Sequence, residues 1–149
     1  MKLLIQRVTH GEVTVAGEPI GTIGPGLLVL VGFDRDDSEA VLDPGLERLL
    51  NYRVLADPQG KMNLSLADTG QGLLLVPQFT LCADTRKGRR PSFDRACPPD
   101  RAQQLFAEWV RRASTRHQGQ VAQGRFGADM AVSLTNDGPV TFWLEVPCP

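Results

Sequence analysis

The sequence LLLVPQFTLCADTRKGRRPSF, residues 73–93, joins an apolar run to a polar loop that carries four cations. The apolar run, residues 73–76, is too short for a helix and predicts a buried strand. Pro77 follows at once and removes a backbone hydrogen-bond donor, which the interior of a central strand tolerates badly. We therefore expect the strand to bend or bulge at Pro77, where the core and the polar loop meet.

The segment after this bend carries the residues that we expect to form a hydrolytic site. The bend would leave three backbone N–H groups free to point at a ligand, as an oxyanion site requires, namely those of Gln78, Phe79 and Thr80. A threonine hydroxyl is a weak nucleophile unless a base lies beside it. No motif places either histidine, His10 or His117, next to Thr80. A nucleophilic Thr80 therefore stays an alternative to a structural or ligand-binding role.

Four cations follow within five residues: Arg86, Lys87, Arg89 and Arg90. A charge run of this length is most often only a solvated loop. Phe93 lies in the same loop, however, and cations beside an aromatic ring can hold phosphates while the ring stacks on an unpaired base. The basic loop, residues 86–90, therefore indicates binding of a single-stranded RNA end, with a solvated loop as the open alternative.

Apolar runs and alternating patterns predict further strands on both sides of this stretch. A continuous apolar run at residues 27–31 ends at Gly32, which is typical of a central strand. A turn is predicted at Asp57 to Gly60, followed by a polar loop as far as Gly72. Residues 20–23 should pair back as a hairpin. The other predicted strands cover residues 3–8, 12–15, 52–55, 131–135 and 140–146.

Two helices are predicted. The clearer one covers residues 99–116, where apolar side chains recur at three- and four-residue steps: Ala102, Leu105, Phe106, Trp109, Val110 and Ala113. A shorter helix near Leu46 could be capped by Ser38 or Asp43, and Pro44-Gly45 should make it short or kinked. The whole chain, residues 1–149, is therefore expected to form one α+β domain. Its sheet should be curved, barrel-like and mainly antiparallel, with both helices packed on it.

Two further motifs are ambiguous when they are taken alone. The segment Asn136-Asp137-Gly138-Pro139 is a common turn signal, and a trans Gly–Pro bond is the ordinary expectation. Arg7, near the end of the first strand, is most simply a solvated flank, although an arginine there could instead fix a backbone carbonyl or a carboxylate. Sequence alone does not decide between these roles.

Composition restricts the class of protein. The net charge of −1 over 149 residues argues against a protein that coats nucleic acid indiscriminately, so any RNA contact must come from a local cluster. Cys82, Cys97 and Cys148 lack CxxC spacing, and the two histidines and scattered acids show no metal-ligand spacing. The first ten residues are too weakly apolar for a signal segment or a membrane span. We expect a cytoplasmic protein without metal or cofactor.

Taken together, six blocks of the sequence resemble the D-aminoacyl-tRNA deacylase family. In chain order they are IQRVTHGEVTV, GPGLLVLVGF, GKMNLSL, PQFTLCADTRKGRRPSF, GRFGADM and NDGPVTFWLE. They span nearly the whole chain, and the RKGRRPSF and NDGPVT blocks are highly specific in combination. The resemblance implies an enzyme that hydrolyses the ester joining a D-amino acid, or a misplaced glycine, to the terminal adenosine of tRNA. It also implies a homodimer that needs no metal.

The resemblance further implies roles for individual residues. Gly138 and Pro139 would form a cis motif that reaches into the partner subunit's site and selects chirality, and Arg7 would hold that motif in place. Phe93 would accommodate the terminal adenine, while residues 78–80 would line the reacting ester. Counterparts of Thr80 have been described as the nucleophile, but assistance from the 2′-hydroxyl of tRNA suits a chain without a nearby base better.

One departure from the family pattern concerns Pro77. The family's usual block is SQFTL, and here proline replaces the serine, so any hydroxyl or N–H contact from that position is lost. This departure leaves open a second hypothesis. The protein could be a non-catalytic module that binds the tRNA 3′ end through the basic loop and Phe93, having lost its activity through Pro77.

Overall fold

The computed structural model describes all 149 residues, which form eight β-strands and three α-helices. The strands are β1 (Lys2–Val15), β2 (Glu18–Ile23), β3 (Gly26–Gly32), β4 (Leu55–Ala56), β5 (Met62–Leu64), β6 (Gly72–Pro77), β7 (Val121–Gln123) and β8 (Met130–Glu145). The helices are α1 (Leu42–Leu50), α2 (Leu66–Thr69) and α3 (Pro99–Arg116). None of these helices is both long and apolar enough to cross a membrane.

Strand β1 organises the main sheet because it is hydrogen-bonded on both edges. One edge pairs antiparallel with β3 through residues 2–8 and with β2 through residues 11–15. The opposite edge pairs antiparallel with β8 from residue 2 to residue 15. Beyond β3 the order continues to β6 and β7, and both of these added pairings are parallel. The predicted sheet is thus confirmed as mainly antiparallel, with two parallel pairings that the sequence did not reveal.

The main sheet curves until its two ends almost meet, which gives the predicted barrel-like form. Strand β2 lies beside β7, and the Gln120 side chain donates from Nε2 to the carbonyl oxygen of Thr22 across the seam, at 2.9 Å. A Cβ atom at Gly21 would lie only 2.8 Å from the carbonyl oxygen of Gln123. The absence of a side chain at Gly21 therefore lets the two ends of the sheet approach each other.

Alternating side chains of the central strands fill two separate cores. On β3 and β6, Leu27, Val29, Leu73 and Leu75 face the helices and belong to a large core of 26 buried residues. Leu28 and Leu74 alternate with them and point into the barrel, where the smaller core has six buried residues. The continuous apolar runs predicted for central strands are explained by burial on both faces.

Helix α3 occupies the predicted residues, and its apolar stripe lies in the large core. Within that core, the Trp109 indole donates from Nε1 to the carbonyl oxygen of Leu42 at 3.0 Å, which joins α3 to α1. Ser38 caps a 3₁₀ turn, Glu39–Val41, that leads directly into α1. The alternative cap at Asp43 is wrong. Pro44 is tolerated because it lies in the first turn of α1, where backbone N–H groups have no partner within the helix.

Three predicted elements differ in the structure. The strand at residues 52–55 is wrong except for its last residue, because β4 begins at Leu55. The polar loop after residue 61 instead contains β5 and α2, and α2 begins with a capping box between Ser65 and Asp68. Residues 136–139 do not connect two strands, since they lie within the single strand β8. The two strand errors concern short segments whose structure depends on a pairing partner, whereas α2 was missed although its capping box is a local signal.

The hairpin between β1 and β2 generates a prediction about stability. Its two loop residues, Ala16 and Gly17, have φ values of +49° and +80°. Positive φ at both positions favours Asn-Gly, and an ordinary L-residue in this region costs about 1–2 kcal/mol. We expect Ala16→Asn to raise the free energy of unfolding by about 1 kcal/mol, measured by urea denaturation. The control variant Gly17→Ala should lower it. A loss of stability in Ala16→Asn would contradict this account.

Candidate active site

Strand β6 ends at Pro77, directly before the residues of the candidate site, and the sheet accommodates a proline at this position. The backbone N–H of Gly72 and that of Gln78 donate toward β3 and its preceding turn, whereas the N–H of Leu73 donates toward β7. Positions 73 and 77 are four residues apart, so their backbone N–H groups point to the same side of β6. A donor at position 77 would therefore point toward β7. The last pair between β6 and β7 joins Leu75 to Gln123, and the Gly124 N–H still donates to the carbonyl oxygen of Leu75. Pro77 therefore lies just past the last residue pair of this ladder, where its missing donor interrupts no strand pairing.

The chain turns after Pro77 into a short 3₁₀ helix, Phe79–Cys82. The N–H of Gln78 donates to the carbonyl oxygen of Val31 at 2.7 Å, so the expectation that this group points at a ligand is wrong. The N–H groups of Phe79 and Thr80 lie in the first turn of the helix, where they have no partner within the helix. These two groups remain available as donors to a ligand.

A cavity of about 480 Å³ opens beside this helix, and we call it the aromatic cavity. The rings of Phe79 and Phe93 lie 5.0 Å apart between centroids, with 54% and 40% of these residues exposed. Phe126 and Pro77 also line the cavity, as does Cys97. Burial raises the pKa of the Cys97 thiol, which disfavours the thiolate. The cavity thus offers partly exposed aromatic surface and no activated thiol.

No general base lies beside Thr80. Its side chain is exposed, and its hydroxyl makes no hydrogen bond to a histidine or a carboxylate. His117 is buried at the end of α3, with Nε2 2.7 Å from the carbonyl oxygen of Gln71, and His10 is paired with Thr135 in the sheet. The arrangement gives no support to a nucleophilic Thr80.

The four cations of the basic loop are not equivalent. Arg86 donates from Nε to Asp84 Oδ1 at 2.9 Å, and this hydrogen bond is the main reason that the pKa of Asp84 lies well below its ordinary value. Asp84 also pairs through its backbone with Ser92, just before Phe93. The other three cations are exposed and form no ion pair: Lys87, Arg89 and Arg90. Asp84 and Arg86 therefore fix the base of the loop, and three cations remain free to bind phosphate.

The second predicted group of site residues lies in a bulge of β8. Gln6 pairs with Thr141 and Val8 pairs with Asn136, so two steps along β1 face five steps along β8. The extra residues, 137–140, form what we call the β8 bulge. It contains the exposed residues Gly138 and Pro139, which are joined by a cis peptide bond. The cis bond that the family resemblance implies is therefore confirmed, and the trans bond that the motif alone suggests is absent.

Arg7 holds the β8 bulge from beneath. Its Nε lies 3.1 Å from the carbonyl oxygen of Asp137 and 3.3 Å from Oδ2 of the same residue. Its Nη1 donates to the carbonyl oxygen of Val54 at 3.0 Å. Of the two roles considered for Arg7, the structure therefore shows the one in which it fixes a backbone carbonyl and a carboxylate.

Sequence reasoning missed a second contact that braces the β8 bulge. The Asn136 side chain accepts a hydrogen bond from the backbone N–H of Val140 at 2.7 Å and donates from Nδ2 to the carbonyl oxygen of Val140 at 3.2 Å. The side chain therefore spans the bulge from one end to the other. Asparagine is a known sequence signal for a turn, because its side-chain amide often hydrogen-bonds to the backbone a few residues away.

The two groups of predicted site residues lie far apart within one chain. The β8 bulge lies opposite Arg7, which pairs with Leu27, whereas Gln78 bonds to Val31. Leu27 and Val31 are four residues apart along β3, or about 13 Å, and β8 and β6 are separated by three strand spacings, or about 14 Å. A single chain therefore does not bring Gly138 and Pro139 to the aromatic cavity.

Comparisons with known proteins identify the family. The family model described as "D-Tyr-tRNA(Tyr) deacylase" matches residues 4–145. A D-aminoacyl-tRNA deacylase of Azotobacter vinelandii is 61% identical over 145 residues, which cover 97% of this chain and 99% of the relative. A D-aminoacyl-tRNA deacylase of Thioalkalivibrio sulfidiphilus is 58% identical, covering 100% of this chain and 99% of that protein.

Solved structures agree in fold. A structure described as "c-Myc DNA Unwinding Element Binding Protein" is similar with a TM-score of 0.94 and 38% identity, covering 99% of each chain. A probable eukaryotic D-amino acid tRNA deacylase has a TM-score of 0.78, covering 96% of this chain and 97% of the other. At 21% identity, this second likeness concerns the fold alone. From the family match and the two bacterial relatives together, the chain belongs to the D-Tyr-tRNA(Tyr) deacylase family.

Proposed function

We propose that this protein is a cytoplasmic, homodimeric proofreading enzyme that hydrolyses the ester between a D-aminoacyl group, or a misplaced glycyl group, and the terminal adenosine of tRNA. Membership of the deacylase family supports the reaction. The observation that carries the rest is the separation of the aromatic cavity from the β8 bulge within one chain. Each would be one half of a site that only two subunits can complete.

Strand β8 supports dimer formation because its second edge is unpaired. The strand is 16 residues long and hydrogen-bonds only to β1. A long unpaired edge exposes backbone donors and acceptors that favour association with another chain. Val132 and Trp143 on the same strand are 37% and 45% exposed. A second copy covering this strand would bury that apolar surface, and it would approach the side of the molecule that carries the β8 bulge.

In this proposal the main chain of Gly138 and Pro139 selects chirality by steric exclusion. A pocket that only accommodates an extra methylene discriminates by about 1–3 kcal/mol, which is too little against an excess of L-aminoacyl-tRNA. Backbone atoms that occupy the volume of an L side chain would reject it far more strongly. Glycine, which lacks a side chain, would be accepted. Contacts from Arg7 and Asn136 would keep these backbone atoms from moving aside.

The substrate would bind with its terminal adenine in the aromatic cavity. Phe79 and Phe93 offer ring surface for stacking, and the three free cations of the basic loop would bind phosphates of the same RNA. The ester would then lie over the start of the 3₁₀ helix Phe79–Cys82. Of the predicted segment 78–80, the backbone N–H groups of Phe79 and Thr80 would contact the reacting ester, while Gln78 would line it through its side chain.

The chemical step proposed is attack of water on the ester carbonyl carbon, assisted by the neighbouring 2′-hydroxyl of the ribose. The N–H groups of Phe79 and Thr80 would donate to the developing oxyanion, and each such donor contributes about 3–4 kcal/mol. The bond from the carbonyl carbon to the 3′-oxygen then breaks, and a proton from water passes to that oxygen. The products are the free amino acid and tRNA with both ribose hydroxyls restored.

The alternative of a non-catalytic RNA-end binding module receives no support. It rested on Pro77, which replaces a serine of the family. In the main sheet, Pro77 lies past the last residue pair between β6 and β7, so the missing donor interrupts no strand pairing. The pyrrolidine ring lines the aromatic cavity beside Phe79. The fold therefore accommodates Pro77 without losing the candidate site.

The proposed reaction predicts a difference between enantiomers of the same substrate. The protein should release D-tyrosine from D-tyrosyl-tRNA more than about 200-fold faster than it releases L-tyrosine from L-tyrosyl-tRNA, because exclusion by backbone atoms exceeds the roughly 10–200-fold limit of a pocket that only fits size. Release of radiolabelled amino acid measures both rates. Equal rates, or no release from either substrate, would refute the proposed function.

The contacts of Arg7 predict that its side chain is needed to reject L-aminoacyl groups rather than to cleave the ester. Lysine at this position cannot contact Asp137 and Val54 together. Arg7→Lys should therefore increase cleavage of L-tyrosyl-tRNA relative to D-tyrosyl-tRNA by about tenfold or more, since a hydrogen bond to a charged group contributes about 1.5–3 kcal/mol. The control is Arg48→Lys, which changes an exposed arginine that contacts the carbonyl oxygen of Glu145. An unchanged ratio in Arg7→Lys would contradict this role.

The basic loop predicts a specific change in the salt dependence of binding. Removing two phosphate contacts by Arg89→Ala with Arg90→Ala should reduce the slope of log affinity for tRNA against log salt by about 1.4–1.8. Filter binding over a range of KCl concentrations measures this slope. Arg111→Ala is the control, because this arginine is already paired with Glu108. A slope that the double variant leaves unaltered would show that the loop is only solvated.

A further inference from the structure

The proposed function leaves open where the RNA continues beyond the terminal adenosine. The preceding nucleotide is only one phosphodiester away, so its binding site must adjoin the aromatic cavity. Among the neighbouring cavities are two that share a residue with the aromatic cavity. One shares Phe126 and has a volume of about 370 Å³, and we call it the arginine cavity because it contains Arg125. The other shares Arg35, and we call it the aspartate cavity.

The aspartate cavity is poorly suited to RNA. Four carboxylates line it: Asp34, Asp36, Asp37 and Asp94. Arg35 and Arg95 also line it, but the carboxylates outnumber these two guanidinium groups, and carboxylates repel phosphates and only accept hydrogen bonds. No aromatic side chain is present there on which a base could stack.

The arginine cavity has the groups that an unpaired nucleotide needs. Arg125 is exposed and forms no ion pair, and the cavity contains no carboxylate. The exposed amides of Gln103 and Gln123 make no hydrogen bond within the chain, and each offers two donors and an acceptor to a base edge. Phe126 separates this cavity from the aromatic cavity and provides aromatic surface to both.

The loop that carries Arg125 and Phe126 is held in place by packing. A Cβ atom at Gly124 would lie 2.7 Å from Met130 Sδ and 3.3 Å from Cδ of Pro77. The backbone N–H of Gly124 donates to the carbonyl oxygen of Leu75 at 2.8 Å, which ties the loop to β6. The arginine cavity is therefore a preformed site next to the aromatic cavity.

We propose that the arginine cavity binds the nucleotide that precedes the terminal adenosine of tRNA. In this subsite Arg125 contacts a phosphate, Phe126 stacks on the base, and Gln103 and Gln123 hydrogen-bond to the base edge. The subsite rests on the proposed deacylase function and adds the path by which the single-stranded end enters.

Two substrates separate this subsite from the adenosine site. D-Tyrosyl-tRNA contains the preceding nucleotide, whereas 3′-O-D-tyrosyl-adenosine lacks it. For Arg125→Ala, KM should rise about five- to tenfold with the tRNA and stay unchanged with the adenosine ester. The slope of log affinity for tRNA against log salt should fall by about 0.7, the value for one contact to single-stranded RNA. Gln123→Ala should likewise raise KM with the tRNA alone.

The matched control is Arg116→Ala, which removes the same charge from the far end of α3. Position 116 lies 13 residues beyond Gln103, or about 20 Å along the helix. KM for both substrates should stay unchanged in this variant.

Three results would overturn the subsite. If Arg125→Ala changes KM equally for both substrates, or for neither, the cavity does not bind the preceding nucleotide. If Arg35→Ala raises KM with the tRNA alone while Arg125→Ala does not, the RNA leaves through the aspartate cavity. If the unaltered protein cleaves neither substrate, the deacylase function fails, and the subsite fails with it.

Discussion

Backbone hydrogen bonding on both edges of β1 is the constraint on which the rest of the structure depends. Pairing with β3 fixes the central strands, whose alternating side chains fill the two cores. Pairing with β8 forces the extra residues 137–140 out of the ladder, directly above Arg7. The same strand thus determines the core and the position of the exposed main chain of Gly138 and Pro139. A one-residue slip of β1 would disturb all of them together.

The geometry of the main sheet explains why a complete site is proposed to need two copies. The aromatic cavity lies beyond the end of β6, and the β8 bulge lies across three strand spacings from it. The aromatic cavity and the β8 bulge are attached to strands of the same hydrogen-bonded sheet, so a hinge motion within one chain would not bring them together. An enzyme built this way would be active only in its associated form.

Much of the fold could be predicted from sequence because its signals are local. The apolar stripe of α3 and the runs that became β3 and β6 specify both the element and its burial. The parallel pairings and the β8 bulge could not be predicted, since they depend on partners far away in sequence. The hydrogen bond from the Gln78 N–H to the carbonyl oxygen of Val31 was missed for the same reason. In the candidate site, Arg7 and Phe93 were identified from the sequence. The hydrogen bonds by which Asn136 holds the β8 bulge and Asp84 holds the basic loop were not.

The pairing of the chain's two terminal strands has a consequence for biosynthesis. Lys2 pairs with Glu145, so one edge of β1 finds its partner only in the last strand of the sequence. Contacts between residues so far apart in sequence slow folding, because a large loop must close first. On the ribosome, β1 must remain half-paired until β8 has emerged. A nascent chain of this protein would therefore expose an open β-edge between the synthesis of these two strands, when it most needs protection by chaperones.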